Sequence, residues 1–183
     1  MKTSKTLYGF KFTLTIFFVG IFLLRSNNTN AQEDRRNNVD LEYFLTAEQQ
    51  YVKIPIAKIV SGHLYVNAVL NGVEGVFILD TGASVTVLDI ERKGKFRLSV
   101  DDQSGKGAGA GGVLTLVRAT NNTLELGEIV KKDFAVFVMD LGHVNNALVA
   151  AGIEKVDGVI GSDILIENKA IIDYPNMALY LQR

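Results

Sequence analysis

The chain has 183 residues, 48% of them hydrophobic, with 17 glycines against two prolines and no cysteine. Its 19 basic and 20 acidic residues leave a net charge of −1, which argues against a nucleic-acid partner or a polybasic membrane footprint. The length suits one folded domain, and the lack of cysteine excludes disulfides, lipid-modified cysteine and thiol chemistry.

Lys2, Lys5 and Lys11 precede an apolar run over residues 12–24, followed by polar residues 25–30 and then Ala31-Gln32. This is the order of a secretory signal, with Thr29 and Ala31 as the small residues before a cut after Ala31. The competing reading is an uncleaved anchor. The run from Phe12 falls short of the ~20 residues a bilayer needs, although residues 7–10 extend it past Lys11. The expected organisation is a signal peptide over 1–31, a mobile polar leader over 32–50 and a folded domain over 51–183. The mature chain would then be exported, periplasmic or extracellular, with no membrane attachment once the signal is removed.

Residues 41–50 carry a weak helical pattern, and strand formers begin at Tyr51. Pro55 in that run predicts a sheet edge or a strand start. Leu64, Val66, Ala68 and Leu70 alternate with Tyr65, Asn67 and Val69, Asn71-Gly72 follows, and residues 76–79 are again apolar. Asn-Gly between two such runs predicts a hairpin, because both turn positions favour positive φ. Residues 85–90 read as a strand leading away, 91–95 as a charged exposed turn, and 101–112 as a glycine-rich loop. Further strands are expected at 113–117, 124–126 and 134–139. A helix is expected over 145–155, with Ala147, Leu148, Ala151 and Ile153 on its apolar face. Residues 156–160 form a strand ending at Gly161, and Ser162 or Asp163 would cap a short helix. Residues 170–173 and 177–181 flank Tyr174-Pro175-Asn176 as a terminal hairpin.

The stretch Phe77-Ile78-Leu79-Asp80-Thr81-Gly82-Ala83-Ser84 carries the chemistry. An apolar strand runs directly into an acid, and a carboxylate packs poorly there without partners. Gly82 lets the backbone turn sharply and leaves room for another chain to approach. A carboxylate on a rigid element suits general acid/base work. The plain alternative is a strand that ends in an ordinary Asp-Thr-Gly turn.

Asp80-Thr81-Gly82-Ala83-Ser84 after an Asn-Gly hairpin, with Val159-Ile160-Gly161 later, resembles the retropepsin-like aspartic peptidases and their single-lobed bacterial relatives. The likeness spans roughly residues 54–181. It implies a mostly β, retropepsin-like closed barrel or sandwich, in which the later glycine-ended strand crosses the strands flanking the catalytic loop, with one short helix after it. It implies Asp80 as the catalytic residue and Thr81, Gly82, Ala83 and Ser84 as the active-site loop. Thr81 would brace that loop, and the Ser84 hydroxyl would be a hydrogen-bond partner for the carboxylate. Gly107, Gly109, Gly111 and Gly112 lie where the family carries a substrate-covering flap, although no aromatic occurs between Arg97 and Phe134. Such peptidases use two carboxylates sharing one proton. One chain supplies a single loop, so the resemblance implies a homodimer acting on a polypeptide substrate, with no cofactor and no metal. Asp163 and Asp173 lack a following Thr-Gly or Ser-Gly and read as a helix cap and a turn acid. The alternative function is a non-catalytic β-rich binding or dimerisation module of the same fold.

Other motifs carry less. Gly107-Ala108-Gly109-Ala110-Gly111-Gly112 matches the dinucleotide pattern, but the mechanism needs a strand before it and a helix after it, and the residues that follow are strand-like. His63 precedes a strand, His143 falls in a loop, and no metal-binding cluster accompanies either. Of two glycosylation sequons, the one at Asn27 lies within the signal and the one at Asn121 in the domain.

Overall fold

A computed structural model describes residues 40–48, 50–58, 62–109 and 112–183. The expected signal and the leader up to residue 39 lie outside the described residues. In chain order the elements begin with helix α1 (Leu41–Thr46) and strands β1 (Tyr51–Pro55), β2 (Ala57–Lys58), β3 (Leu64–Leu70), β4 (Val73–Leu79) and β5 (Val87–Asp89). A 3-10 turn (Ile90–Arg92) leads to β6 (Val100–Gly109), β7 (Gly112–Leu126), β8 (Ile129–Met139) and α2 (Gly142–Ala150). The chain closes with β9 (Gly158–Ile160), α3 (Ser162–Glu167), β10 (Ile171–Asp173) and β11 (Ala178–Gln182).

Six strands close into a barrel in the order β3-β4-β9-β5-β8-β7, with β7 returning to β3 through Val69 opposite Glu125 and Leu70 opposite Leu124. The Asn-Gly hairpin forms as expected: Asn71 and Gly72 have φ of 52° and 77°, and β3 pairs with β4 from Leu64/Leu79 to Leu70/Val73. Leu64, Val66, Ala68 and Leu70 point into the main core with Phe77, Leu88, Phe96 and Ile160. Tyr65 and Ile78, on the opposite face, join a second cluster with Leu148 of α2, Val156 and Val159. Both faces of the β3–β4 hairpin are therefore buried along part of its length.

β9 lies between β4 and β5, parallel to the first and antiparallel to the second. This is the crossing expected of the glycine-ended strand. A separate three-stranded antiparallel sheet has the order β1-β11-β10 and includes the expected terminal hairpin. Pro55 lies in β1 at its edge, where no donor is required. α1 is capped by the Asp40 carboxylate, which accepts from the Glu42 amide at 3.1 Å, and it lays Leu45 against Ala178 and Tyr180.

Several expectations are corrected. Residues 101–109 of the expected glycine-rich loop belong to β6, which pairs with β7 from Val100/Ala119 to Gly109/Gly112. Glycine adopts extended backbone without supplying alternating side chains, so the strand left no periodic trace. The short strands expected at 113–117 and 124–126 are parts of the single strand β7, and that at 134–139 is the second half of β8. Irregular pairing between Ala119 and Leu124 bends this ladder, and buried Asn122 donates there to the Ala119 carbonyl at 3.0 Å.

α2 starts three residues earlier than expected and ends five earlier. Gly152 ends it at φ 75°, with the Gly152 amide on the Val149 carbonyl and the Ile153 amide on the Leu148 carbonyl. His143 accordingly sits on this helix, not in a loop, and is exposed.

Candidate active site

Asp80 follows the last residue of β4 and is held by backbone. Its amide donates to the Ile160 carbonyl of β9 at 3.0 Å, extending the parallel β4–β9 ladder one step into the loop. Its carboxylate accepts from the Gly82 amide at 2.8 Å, and its carbonyl from the Ala83 amide at 3.3 Å. The loop thus folds around its own acid. Asp80, Thr81, Gly82 and Ser84 are exposed and Ala83 is half-buried, so the carboxylate meets solvent from a fixed base. The carboxylate partner is the Gly82 amide and not, as expected, the Ser84 hydroxyl.

The far side of the loop is tied to the start of α3. The Ser162 amide donates to the Ala83 carbonyl at 2.7 Å. The Thr86 amide and hydroxyl each donate to the Asp163 carboxylate at 2.8 Å, and the Gly161 amide donates to the Thr86 hydroxyl at 3.1 Å. Asp163 also accepts from the Ile164 amide at 2.9 Å. Neither Ser162 nor Asp163 caps α3, because its N-cap is Gly161 and makes no side-chain cap bond. Asp163 instead faces across to Thr86 and is a positioning residue.

Gly161 is required by close approach: a Cβ there would lie 2.6 Å from the Val85 carbonyl carbon and oxygen, and 2.9 Å from the Ala83 oxygen. Gly158 is under the same constraint, 2.3 Å from the Val87 oxygen. The two glycines admit β9 between the strands that flank the Asp80 loop.

Thr86 was not singled out from the sequence, yet it carries this junction. A hydroxyl within the otherwise apolar run 85–90 was the available signal, since a buried polar group must find a partner. Asp173 sits in β10 and accepts from the Asn176 amide at 3.1 Å and side chain at 2.8 Å, which makes it a turn acid as expected.

Further along β5, buried Asp89 accepts from the Asn145 side chain at 2.7 Å, and Asn145 bonds Val156 through both its groups. Buried Asp157 is paired with Lys95 at 2.8 Å and Arg92 at 3.3 Å and accepts from the Val76 amide at 3.0 Å. The expected exposed charged turn after β5 is therefore partly anchored inward.

Of the expected flap residues, Gly107 lies in β6 opposite Leu114, and Gly109 pairs with Gly112 at the hairpin end. Gly111 lies outside the described residues. A Cβ on Gly107 would meet Leu116 Cδ1 at 2.7 Å. Gly112 opens a strand, so the helix that a dinucleotide loop requires is not there. Among the described residues no group of three His, Cys, Asp or Glu side chains could hold a metal, and no helix is long and apolar enough to cross a membrane.

A family model described as aspartyl protease matches residues 66–164, from β3 through the start of α3 and including the whole Asp80 loop. The chain belongs to the aspartyl protease family. Three solved structures are similar to it. One is a retropepsin-like aspartic protease from Rickettsia conorii, 24% identical over 72% of this chain and 90% of that one, with a TM-score of 0.48. The second is the EIAV protease in complex with an inhibitor, 18% identical over 64% and 98%, with a TM-score of 0.46. The third is the retroviral protease-like domain of Ddi1 from Leishmania major, 20% identical over 65% and 87%, with a TM-score of 0.45. No curated protein sequence matches the chain. Within this family the Asp80 loop is the candidate catalytic loop, and Gly161 and Asp163 belong to its scaffold.

Proposed function

We propose that this chain is an exported aspartic endopeptidase whose acid pair is completed by a second copy of itself. The observation that carries the reading is the exposed Asp80 carboxylate, oriented by the Gly82 amide on a loop pinned to β9, in a chain of the aspartyl protease family. Two such acids about 3 Å apart cannot both ionise, so the pair holds one proton. The ionised member takes a proton from water, which attacks the scissile carbonyl. The protonated member polarises that carbonyl, and a proton then passes to the leaving amine. Gly82 keeps the loop open for water and substrate backbone. The β6–β7 hairpin is the proposed cover for an extended polypeptide, with its glycines giving the backbone freedom a lid needs. Export rests on the basic, apolar, polar order of residues 1–31.

The test is Asp80→Asn, assayed for cleavage of a denatured protein from acidic to neutral pH. A loss on the order of a thousandfold is expected. Undiminished cleavage by the variant overturns the mechanism.

A further inference from the structure

β9 is three residues long, with glycine at 158 and again at 161, so few of its own side chains hold it in place. At the loop end it is fixed by the Asp80 amide on the Ile160 carbonyl and by the Gly161 amide on the Thr86 hydroxyl. At the other end a single side chain from α2 takes over. Asn145, only 2% exposed, accepts from the Val156 amide at 2.9 Å and donates to the Val156 carbonyl at 3.2 Å. The same side chain donates to the Asp89 carboxylate, at the end of β5, at 2.7 Å. Beside it the Asp89 amide donates to the Asp157 carbonyl and the Asp157 amide to the Val76 carbonyl, at 2.8 Å each. Asn145 thus sits where β4, β9 and β5 are brought into line. Leu148, one turn further along α2, shares a buried cluster with Ile78, Val87 and Val159, one residue from each of those strands.

We propose that Asn145 is a positioning residue for Asp80, acting through β9. The role rests on the reading of Asp80 as the catalytic acid. Val156 lies four residues before Ile160, about 13 Å along an extended chain. Strands on both sides leave that stretch no slack, so the place where Asn145 holds Val156 sets where the Ile160 carbonyl meets the Asp80 amide. Without the Asn145 side chain, both backbone groups of Val156 lose their partner and the Asp89 carboxylate loses its shortest bond. Buried groups of this kind must find another partner or water, which shifts the start of β9. The Asp80 loop shifts with it, and a displacement of about 1 Å is enough to slow catalysis. A purely structural Asn145 would lower stability and leave the Asp80 loop as ordered as before.

The test compares Asn145→Ala in the full chain with Ile129→Ala, which empties a buried site at the turn between β7 and β8, where the strand partner is Leu126. Both are studied at a temperature where circular dichroism shows them folded. Amide hydrogen exchange at Asp80 and Gly82 should quicken about tenfold in Asn145→Ala and stay at the wild-type rate in Ile129→Ala. With a denatured protein as substrate, kcat of Asn145→Ala should fall about tenfold while KM changes less than about threefold. Asp89→Asn keeps an acceptor oxygen for Asn145 and removes only the charge. It should show both effects at smaller size, and it carries the test if the alanine variant does not fold. Wild-type exchange at Asp80 in the Asn145 variant overturns the positioning role, as does exchange equally quickened in Ile129→Ala. An unchanged kcat overturns it too, and if wild-type cleavage still requires Asp80 the protease reading stands without it. If exchange quickens as expected but the wild-type chain does not cleave, Asn145 still positions the loop and the protease reading falls.

Discussion

Asp163 holds Thr86 through two bonds at once, accepting its amide and its hydroxyl at 2.8 Å each, across 77 residues of sequence. Thr86 is buried, and its hydroxyl in turn accepts from the Gly161 amide. Replacing Asp163 by Ala leaves an amide and a hydroxyl without an acceptor, at a cost of about 2–3 kcal/mol. The melting temperature should fall by about 5–10 °C. Asp163→Asn keeps one carbonyl acceptor and should lose roughly half as much. Denaturant unfolding of both variants, with circular dichroism as readout, checks the order.

Gly161 tolerates no side chain. In Gly161→Ala the new methyl would lie 2.6 Å from backbone atoms of Val85, which cannot rotate away. The strands flanking the Asp80 loop must part, costing about 2 kcal/mol or more and displacing Asp80 with them. Cleavage activity should fall by at least about tenfold at a temperature where the variant is still folded. Measuring activity and unfolding on the same sample separates displacement from collapse.

Asp157 ties the turn after β5 to the start of β9. Its side chain is only 7% exposed, whereas Lys95 and Arg92 are each about a third exposed. Removing the acid leaves the Val76 amide without its carboxylate acceptor, while the two cations can still reach water. Asp157→Ala should therefore cost about 2–4 kcal/mol, and Lys95→Ala about 1 kcal/mol. Thermal unfolding of the two variants tests this asymmetry.

Tyr180 is fully buried beneath Leu45, and burial raises its phenol above the usual value of 10.0. The unfolded chain releases this proton near pH 10 while the folded chain keeps it. Stability from this group is therefore complete below pH 10 and is lost as pH rises toward the higher folded value. In Tyr180→Phe that alkaline decline should shrink. Among the described residues the hydroxyl has no hydrogen-bond partner, so the variant should also gain about 1 kcal/mol at neutral pH. Melting curves from pH 7 to 11 check both effects.

What the sequence made legible follows from the range of each interaction. The hairpin at Asn71-Gly72, the acid at the end of β4 and the glycine ending β9 are local, since turn chemistry and alternation mark them residue by residue. β6 escaped because glycine carries no pattern. The early end of α2 was readable in principle: Gly152 is a stop signal, overridden in the reading by the apolar residues around it. The Asp163–Thr86 pairing was not readable, since nothing in either neighbourhood names a partner 77 positions away. The pairing of Asp157 with Lys95 and Arg92 was equally illegible, because it joins residues more than sixty positions apart.

The position of β9 between β4 and β5 has a consequence for biosynthesis. Asp80 is translated well ahead of Ile160, whose carbonyl anchors it. A nascent chain cannot fix the Asp80 loop until β9 has left the ribosome, and closing so distant a contact is slow. Translation products that stop short of β9 therefore lack the bond that orders the Asp80 loop.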